Sequence, residues 1–588
     1  MAYAAPVDDI MHALKTAAGI EALIADGTVT TDLDTVRAVI EEAGKFGAEV
    51  LDPLNWSGDQ QGSKLVDGVV QTPQGWKEAY GQFAAGGWGS LPCSEEHGGQ
   101  GLPQMVSMAA SEIWNSANMG FGLCPLLTQG AIDAVEAHGS AFLKHTFLPK
   151  MVAGTWTGTM NLTEPHAGSD LGHLRAKAEK QADGSYRVTG TKIFITYGDH
   201  EMTENIIHLV LARLPDAPPG TRGISLFLVP KYLVNADGSM GVRNDVICAG
   251  VEHKLGIHAS PTCVMKFGEK GGAIGYLVGE ENRGLNVMFI MMNAARLAVG
   301  VQGVAIAERA TQRALEFARE RKQGRTASSK GHEMGPIVEH ADVRRNLMTM
   351  KAMTQAARAI CTVTARETDV SRLAKDPVAR AAAANKVALL TPVAKAFSTD
   401  IGCEVASMGV QIHGGMGFIE ETGAAQYYRD ARILPIYEGT NGIQAIDLVA
   451  RKLPLDGGKV VEAMLGEFWK TCEDVRASNR PEFGRMGERL SDCVIALSEA
   501  TRYLMETLPS NPDAAMAGAT PYLRLFGLAA GGVYLARGAL ASAREGAGPS
   551  PYIALARFFA ENLTTAAPGL KETVIGGADS TLGLALSA

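Results

Sequence analysis

A change of hydrophobic period along the chain constrains its fold more than any other feature. Up to about residue 158, apolar residues recur every three to five positions, as in IDAVEAH at 132–138 and FLKHTFL at 142–148. That is the spacing of helices that bury one face. Glycine-rich breaks such as GGQG at 98–101 separate them. Between 159 and about 281 the runs become short and rich in β-branched and aromatic residues. SYRVTGTKIFIT at 185–196 follows the turn dipeptide Asp183-Gly184, and HLVLA at 208–212, GISLFLV at 223–229, TCVMKF at 262–267 and AIGYLV at 273–278 continue the series. Strands punctuated by turns, with no helix between them, predict an antiparallel barrel or sandwich.

Long helical patterns then return. Residues 285–322 contain no proline and only two glycines, and the stretches 342–368, 377–407 and 443–451 follow. Long helices with short connections fit a bundle. An alanine-rich helical segment runs from 454 to the end. The chain has 588 residues, more than one hydrophobic core normally serves. The expected fold is therefore mainly α with a β middle domain. It divides into a helical domain at 1–158, a β domain at 159–281, a four-helix bundle at 282–453 and an additional helical domain at 454–588.

Bulk properties narrow the function classes. A net charge of -9 gives no electrostatic footprint for nucleic acid. The eight cysteines include no C-x-x-C pair, which argues against zinc or a disulfide framework and for buried thiols in a reducing compartment. The N-terminus lacks the basic segment and apolar run of a signal peptide. No stretch is expected to span a bilayer, since the best candidate, 522–540, is interrupted by Arg524 and Arg537. A cytoplasmic protein with no metal site and no stable membrane insertion is expected. No G-x-G-x-x-G opens a helix after a strand and no P-loop occurs, so a nucleotide cofactor would bind by other means.

Four segments carry the chemistry. NLTEPHAGSD at 161–170 offers Thr163, Ser169 and backbone N–H groups to a planar heterocycle or an amide chain, although such a loop is by itself a turn. In KIFIT at 192–196, Phe194 and Thr196 share a strand face, one able to cover a ring and the other to bond its edge. In QIHGGMGF at 411–418, Gly414, Gly415 and Gly417 leave amides accessible for a diphosphate. A helix-ending glycine cluster reads the same way, and His413 is expected to be structural. In ARILPIYEGTN at 431–441, Glu438 stands between an apolar stretch and a glycine, where exclusion of water would raise its pKa toward that of a base.

Together, in this order, the segments resemble the acyl-CoA dehydrogenase family, whose markers are the T-E-P-x-A-G-S-D loop, the strand ending in I-T, H-G-G-x-G-[FY] and Y-E-G-T. The resemblance covers about residues 50–452. It implies a helical domain, a β domain and a four-helix bundle, with FAD between the last two. Leu162, Thr163, Phe194 and Thr196 would line the flavin, with Phe194 where many members have tryptophan. Gln411, Gly414 and Gly415 would approach the diphosphate or adenosine half, usually from the neighbouring subunit. Thr440 would bond the cofactor. Arg321 is carried over although the usual R-x-x-F-G pattern lacks its phenylalanine here. Ser169, Asn293, Arg296 and Gly439 would contact the acyl-CoA substrate. The family's base lies either in Y-E-G-T or beside an arginine on the first bundle helix; here that helix reads MNAAR at 292–296, and neither Ala294 nor Ala295 can take a proton. Glu438 is therefore the implied catalytic base.

The family norm for reoxidation is electron-transferring flavoprotein, whereas an oxidase would use oxygen. The added N-terminal helices and the segment after 455 look like a long bacterial form, which is usually dimeric. That form makes a short acyl-CoA such as 3-methylmercaptopropionyl-CoA the leading substrate, with a broad medium- or long-chain enzyme as the alternative. A DNA-binding alkylation-response homologue is the reading from another class, and the acidic balance opposes it.

Overall fold

Three long helices, Gly284–Glu320, Ala341–Leu373 and Pro377–His413, frame the molecule. They are the first, second and third bundle helices below. The computed structural model describes residues 3–545 and 550–584. Met1, Ala2, residues 546–549 and the last four residues of the expected C-terminal domain lie outside the described part. The first and third bundle helices run parallel, because their contacts advance together: Gly300 meets Ala394, Gly303 meets Ser398, and Phe317 stacks on His413 with ring centroids 4.5 Å apart. Glycine is needed for this approach, since a Cβ at 303 would lie 2.3 Å from the Ser398 carbonyl oxygen. The short helix Asn441–Asp447, continued to Lys452, completes the group.

The C-terminal segment is helical throughout its described part, with Lys459–Ala477, Met486–Thr507, Ala519–Glu545, Pro551–Asn562 and Ala567–Gly576 as its larger helices. Helix Ala519–Glu545 lies on the second and third bundle helices through small residues. A Cβ on Gly531 would stand 2.8 Å from Ala356 Cβ, and one on Gly527 would stand 2.1 Å from the Phe397 ring. The Arg524 guanidinium sits 5.3 Å from the Phe397 ring centroid and pairs with Glu404 at 2.8 Å. The N-terminal helices pack on the other flank of the bundle. There the buried Arg358 bridges Glu112 at 2.6 Å and Glu308 at 2.9 Å. Breaking such a buried ion triad leaves an uncompensated charge.

The middle domain holds a two-stranded ribbon, Tyr232–Val234 with Met240–Arg243, and one eight-stranded sheet. Its spatial order is Val246–Val251, Thr262–Phe267, Tyr186–Thr196, Ala273–Leu277, Ile224–Pro230, Asn205–Arg213 and Trp156–Asn161, with Lys177–Lys180 pairing to Tyr186–Thr196. The expected purely antiparallel arrangement fails at Asn205–Arg213, which has two parallel neighbours, one of them Lys177–Lys180 through Lys177 and Arg213. Trp156–Asn161 runs parallel to Asn205–Arg213, with Trp156 opposite Asn205. The intervening chain forms a loop and the Lys177–Lys180/Tyr186–Thr196 hairpin before returning, which is long enough for a parallel crossover. That strand is buried along its whole length, so it shows no alternation to read.

Two further expectations are corrected. The N-terminal region is not purely helical, because Lys64–Val66 and Val69–Gln71 form a hairpin around Asp67-Gly68. Both turn residues have positive φ, 49° and 79°, as a tight hairpin demands. Two helices, Gly284–Glu320 and Ala519–Arg544, are long and apolar enough to cross a membrane, their most apolar 18-residue stretches having mean hydropathies of 1.5 and 1.3. Most of each lies inside the protein, against the bundle, so their apolar character is that of core helices.

The contact between Gly527 and Phe397 gives a prediction. Gly527→Val should force the C-terminal helix off the bundle and lower stability by about 1–3 kcal/mol, read as a fall in Tm. An unchanged Tm would contradict this packing.

Candidate active site

Residues 433–441 form a closed loop after the helix Ala424–Ala431. Tyr437 N donates to Ile433 O at 3.3 Å and Asn441 N to Pro435 O at 2.9 Å. At its tip Glu438 has φ 56°, a left-handed conformation that costs a residue with a Cβ about 1–2 kcal/mol. Gly439 follows at φ 87°, and a Cβ there would lie 2.7 Å from Gln444 Nε2 and 3.7 Å from an Arg296 guanidinium nitrogen. The Thr440 hydroxyl caps the next helix by accepting from Ile443 N at 3.4 Å. Gln444 Nε2 donates to the carbonyls of Glu438 and Gly439 at 3.4 and 3.3 Å. Tyr437 OH donates to Gln302 Oε1 at 2.5 Å, and Gln302 Nε2 donates to Asn115 Oδ1 at 3.0 Å. The strained backbone is thus held by its own helix, by the first bundle helix and by the N-terminal domain.

The electrostatics of the loop follow from this placement. Burial raises the Glu438 carboxyl to about 7, against the opposing pull of Arg296 and Lys395. The residue keeps part of its surface accessible. Arg296 is buried, donates to Asn293 Oδ1 at 3.2 Å and stands 3.9 Å from the Asp447 carboxylate. Lys395 is fully buried, donates to Asn441 Oδ1 at 2.8 Å and is drawn down by burial to about 7. Ala294 and Ala295 on the first bundle helix bring no proton acceptor.

A second group of residues forms a wall on the middle domain. The register of Tyr186–Thr196 against Thr262–Phe267 shifts between Cys263 and Met265. At this bulge Phe194 takes φ 61° and is 58% exposed, while Ile195 is buried and Thr196 half-buried. A bulge re-aims a side chain in this way. Ile193 N donates to Thr163 O at 2.9 Å, which joins the strand to the 161–170 loop. The fully buried Lys192 donates to Leu162 O at 2.9 Å and to Glu164 Oε1 at 2.8 Å. Burial would raise the Glu164 carboxyl, but Lys192 and the backbone N–H groups of Arg175 and Ala176 hold it below its ordinary value. Leu162 and Thr163 are half-buried beside Phe194, and Ser169 lies exposed farther along the loop. An open aromatic face flanked by two hydroxyls fits the isoalloxazine of FAD.

The remaining predicted residues gather elsewhere. Arg321 ends the first bundle helix, its N donating to Phe317 O at 2.8 Å. His413, bonded to Gly409 O at 2.7 Å and stacked on Phe317, is structural, as expected. Together these contacts set Arg321, Gln411, Gly414 and Gly415 at one end of the bundle. Cβ atoms on Gly414 and Gly415 would meet nothing within 4 Å, which leaves an open cradle for a diphosphate. From Lys395 to Gly414 the third helix rises roughly 28 Å. One chain therefore does not bring this cradle to its own Glu438.

Sequence reasoning missed Lys192, Gln302, Lys395, Asn441 and Gln444. Lys395 had a signal: it is the one charge in LLTPVAKAF at 389–397, and a buried lysine needs a reason. Asn441 and Gln444 had none, because their contacts depend on the loop closing.

The fold and site define a class, and the chain belongs to the acyl-CoA dehydrogenase family of FAD-dependent oxidoreductases acting on acyl-CoA thioesters. Residues 34–155, 159–269 and 282–453 match the family's N-terminal, middle and C-terminal domains, and 464–585 match the "Acetyl-CoA dehydrogenase C-terminal like" domain. Among individual proteins, the 3-methylmercaptopropionyl-CoA dehydrogenase of Ruegeria pomeroyi is 50% identical over 93% of this chain and 92% of its own length. A butyryl-CoA dehydrogenase of Syntrophomonas wolfei is 35% identical over 84% of this chain and 81% of its own. The crystal structure of Caenorhabditis elegans ACDH-11 in complex with C11-CoA shares the fold, with a TM-score of 0.80 over 100% of this chain and 96% of that one, at 18% identity.

The crowding at Gly439 gives a prediction. Gly439→Ala should retain FAD but lose at least about tenfold in kcat, because a 1 Å displacement of reacting groups can cost more than that. Wild-type kcat with full flavin content would contradict the geometry.

Proposed function

We propose that the chain desaturates a short acyl-CoA at the α,β bond, with 3-methylmercaptopropionyl-CoA as the leading substrate and Glu438 as the base. The observation that carries this reading is the Glu438 carboxylate itself. It is half-accessible, raised to about 7, and stands on a loop held by Gln302 and Gln444, with alanines at the family's alternative position. The substrate choice is supported by the 50% identity to the Ruegeria pomeroyi enzyme over nearly the whole chain.

Glu438 removes the α-proton, and its own backbone N–H donates to the thioester carbonyl, which acidifies the α-carbon. When bound, FAD supplies the two-electron acceptor for the hydride leaving the β-carbon. Leu162, Thr163, Phe194 and Thr196 hold its ring, and Ser169, Asn293, Arg296 and Gly439 orient the substrate. The Thr440 hydroxyl, whose oxygen caps a helix, keeps its proton for the cofactor.

The reading extends to partners. Around the Gly414–Gly415 cradle, Met416, Phe418 and Ile419 are exposed, Phe418 by 85%. A second copy of this chain covers them and receives Arg321, Gln411, Gly414 and Gly415 against its own FAD, so the working unit is a homodimer. The electron acceptor is an electron-transferring flavoprotein, and the eight free thiols suit the cytoplasm.

The test uses purified holoenzyme with acyl-CoAs of differing length and head group, scored by anaerobic flavin bleaching and by turnover with an artificial acceptor. Only the carboxylate form of Glu438 is a base, so kcat/KM should rise with pH up to about 7 and level off above it. Glu438→Gln should bind FAD and acyl-CoA but lose at least about a hundredfold in kcat. Near-wild-type turnover in that variant would overturn the assignment of the base, and preference for long chains would overturn the substrate.

A further inference from the structure

Removing an α-proton does not in itself require a lysine at 395, yet one is fully buried there. An ammonium has three N–H donors, and taking it out of water is costly unless something compensates. Among the described residues its one hydrogen-bond acceptor is Asn441 Oδ1, at 2.8 Å. Asn441 is itself clamped, donating to Ala396 O at 3.1 Å, Thr399 Oγ1 at 3.0 Å and Asp400 Oδ1 at 2.7 Å. It lies three residues beyond Glu438 on the closed loop, so the clamp ties the Lys395 side chain to the loop that carries Glu438.

The charged and titratable groups around this unit come from several elements. Facing Lys395 are Glu438 from the loop, Arg296 from the first bundle helix, and Asp400 and Cys403 from its own helix. Facing Glu438 are Arg296 and Lys395. Arg296 divides its charge with Asp447, which also pairs with Arg451 and Lys452. Asp400 is pushed toward its neutral form by burial and accepts from Asn441. Arg296 acts on Glu438 the more strongly, and Lys395 acts beside it.

We propose that Lys395 is a positioning residue for proton abstraction: locked by Asn441, it carries its positive charge through the acid limb of the pH profile and there favours the ionised form of Glu438. This rests on the reading of Glu438 as the base. In the step itself the α-carbon loses a proton to a Glu438 carboxylate oxygen. The pair passes from carboxylate with ammonium to carboxylic acid with ammonium, and no proton enters or leaves Lys395.

The test compares Lys395→Met, which removes charge and donor, with Lys395→Gln, which keeps an N–H donor for Asn441 without the charge. Both holoenzymes should retain FAD and its visible spectrum. In both, the acid limb of kcat/KM should move up by about one pH unit, a tenfold loss at the foot of the limb, with a smaller fall at the alkaline plateau. An unmoved limb, or an equal fall at every pH, would reduce Lys395 to a structural role and overturn the proposal. Loss of soluble flavoprotein in both variants would overturn it too, since it assigns Lys395 to proton chemistry and not to folding. Glu438→Gln measured alongside separates the two ideas. If it turns over, the base assignment fails; if it is inactive while both Lys395 variants keep the wild-type limb, the Lys395 proposal alone fails.

Discussion

The carboxylate of Glu438 sits on left-handed backbone under the influence of buried Arg296 and Lys395, and much of the surrounding structure can be read as what that arrangement requires. A residue with a Cβ does not remain at φ 56° unless its surroundings over-determine it. Here Gln302, Gln444 and Asn441 do so, each from a different direction. Two opposing forces then set its acidity. Exclusion of water favours the neutral acid, while Arg296 and Lys395 favour the anion. The balance falls near neutrality, where a carboxylate is a competent base and is still ionised often enough to act.

The bundle supplies the rigidity. Its first and third helices run parallel in glycine-assisted contact, so Arg296 and Lys395 come from neighbouring helices, with Lys395 beyond the level of Arg296. Helix Ala519–Glu545 closes the far side over Phe397, two residues along from Lys395. The additional C-terminal domain is thus part of the scaffold behind the site, not an appendage. The middle domain contributes the other wall, where a bulge turns Phe194 outward and the Lys192–Glu164 pair fixes the adjoining loop. The end of the same bundle carries the Gly414–Gly415 turn, too far along the helix for the chain's own Glu438.

Much of this was legible in the sequence. The change of hydrophobic period located the β domain, and the four motifs located both walls and the loop. What escaped had physical reasons. Trp156–Asn161 is buried on both faces, so alternation could not betray it, and its parallel pairing depends on a crossover that only the folded sheet reveals. The Asp67-Gly68 hairpin was hidden because a three-residue strand carries too little pattern. Helices 284–320 and 519–545 are apolar because they are core helices, and charges such as Arg524 and Arg537 lie at the edges of that core. Lys395 was visible as a lone charge in an apolar run, but its meaning depends on Asn441, whose position is set by loop closure.

The central claim, that Glu438 removes the α-proton, is tested most directly by separating that step from hydride loss. Acetyl-CoA has α-hydrogens and no β-carbon, so it can be deprotonated but not desaturated. Incubated with the holoenzyme in deuterium oxide and analysed by mass spectrometry, it should gain α-deuterium with the wild-type protein and none above background with Glu438→Gln. Exchange at the wild-type rate in Glu438→Gln would contradict the account.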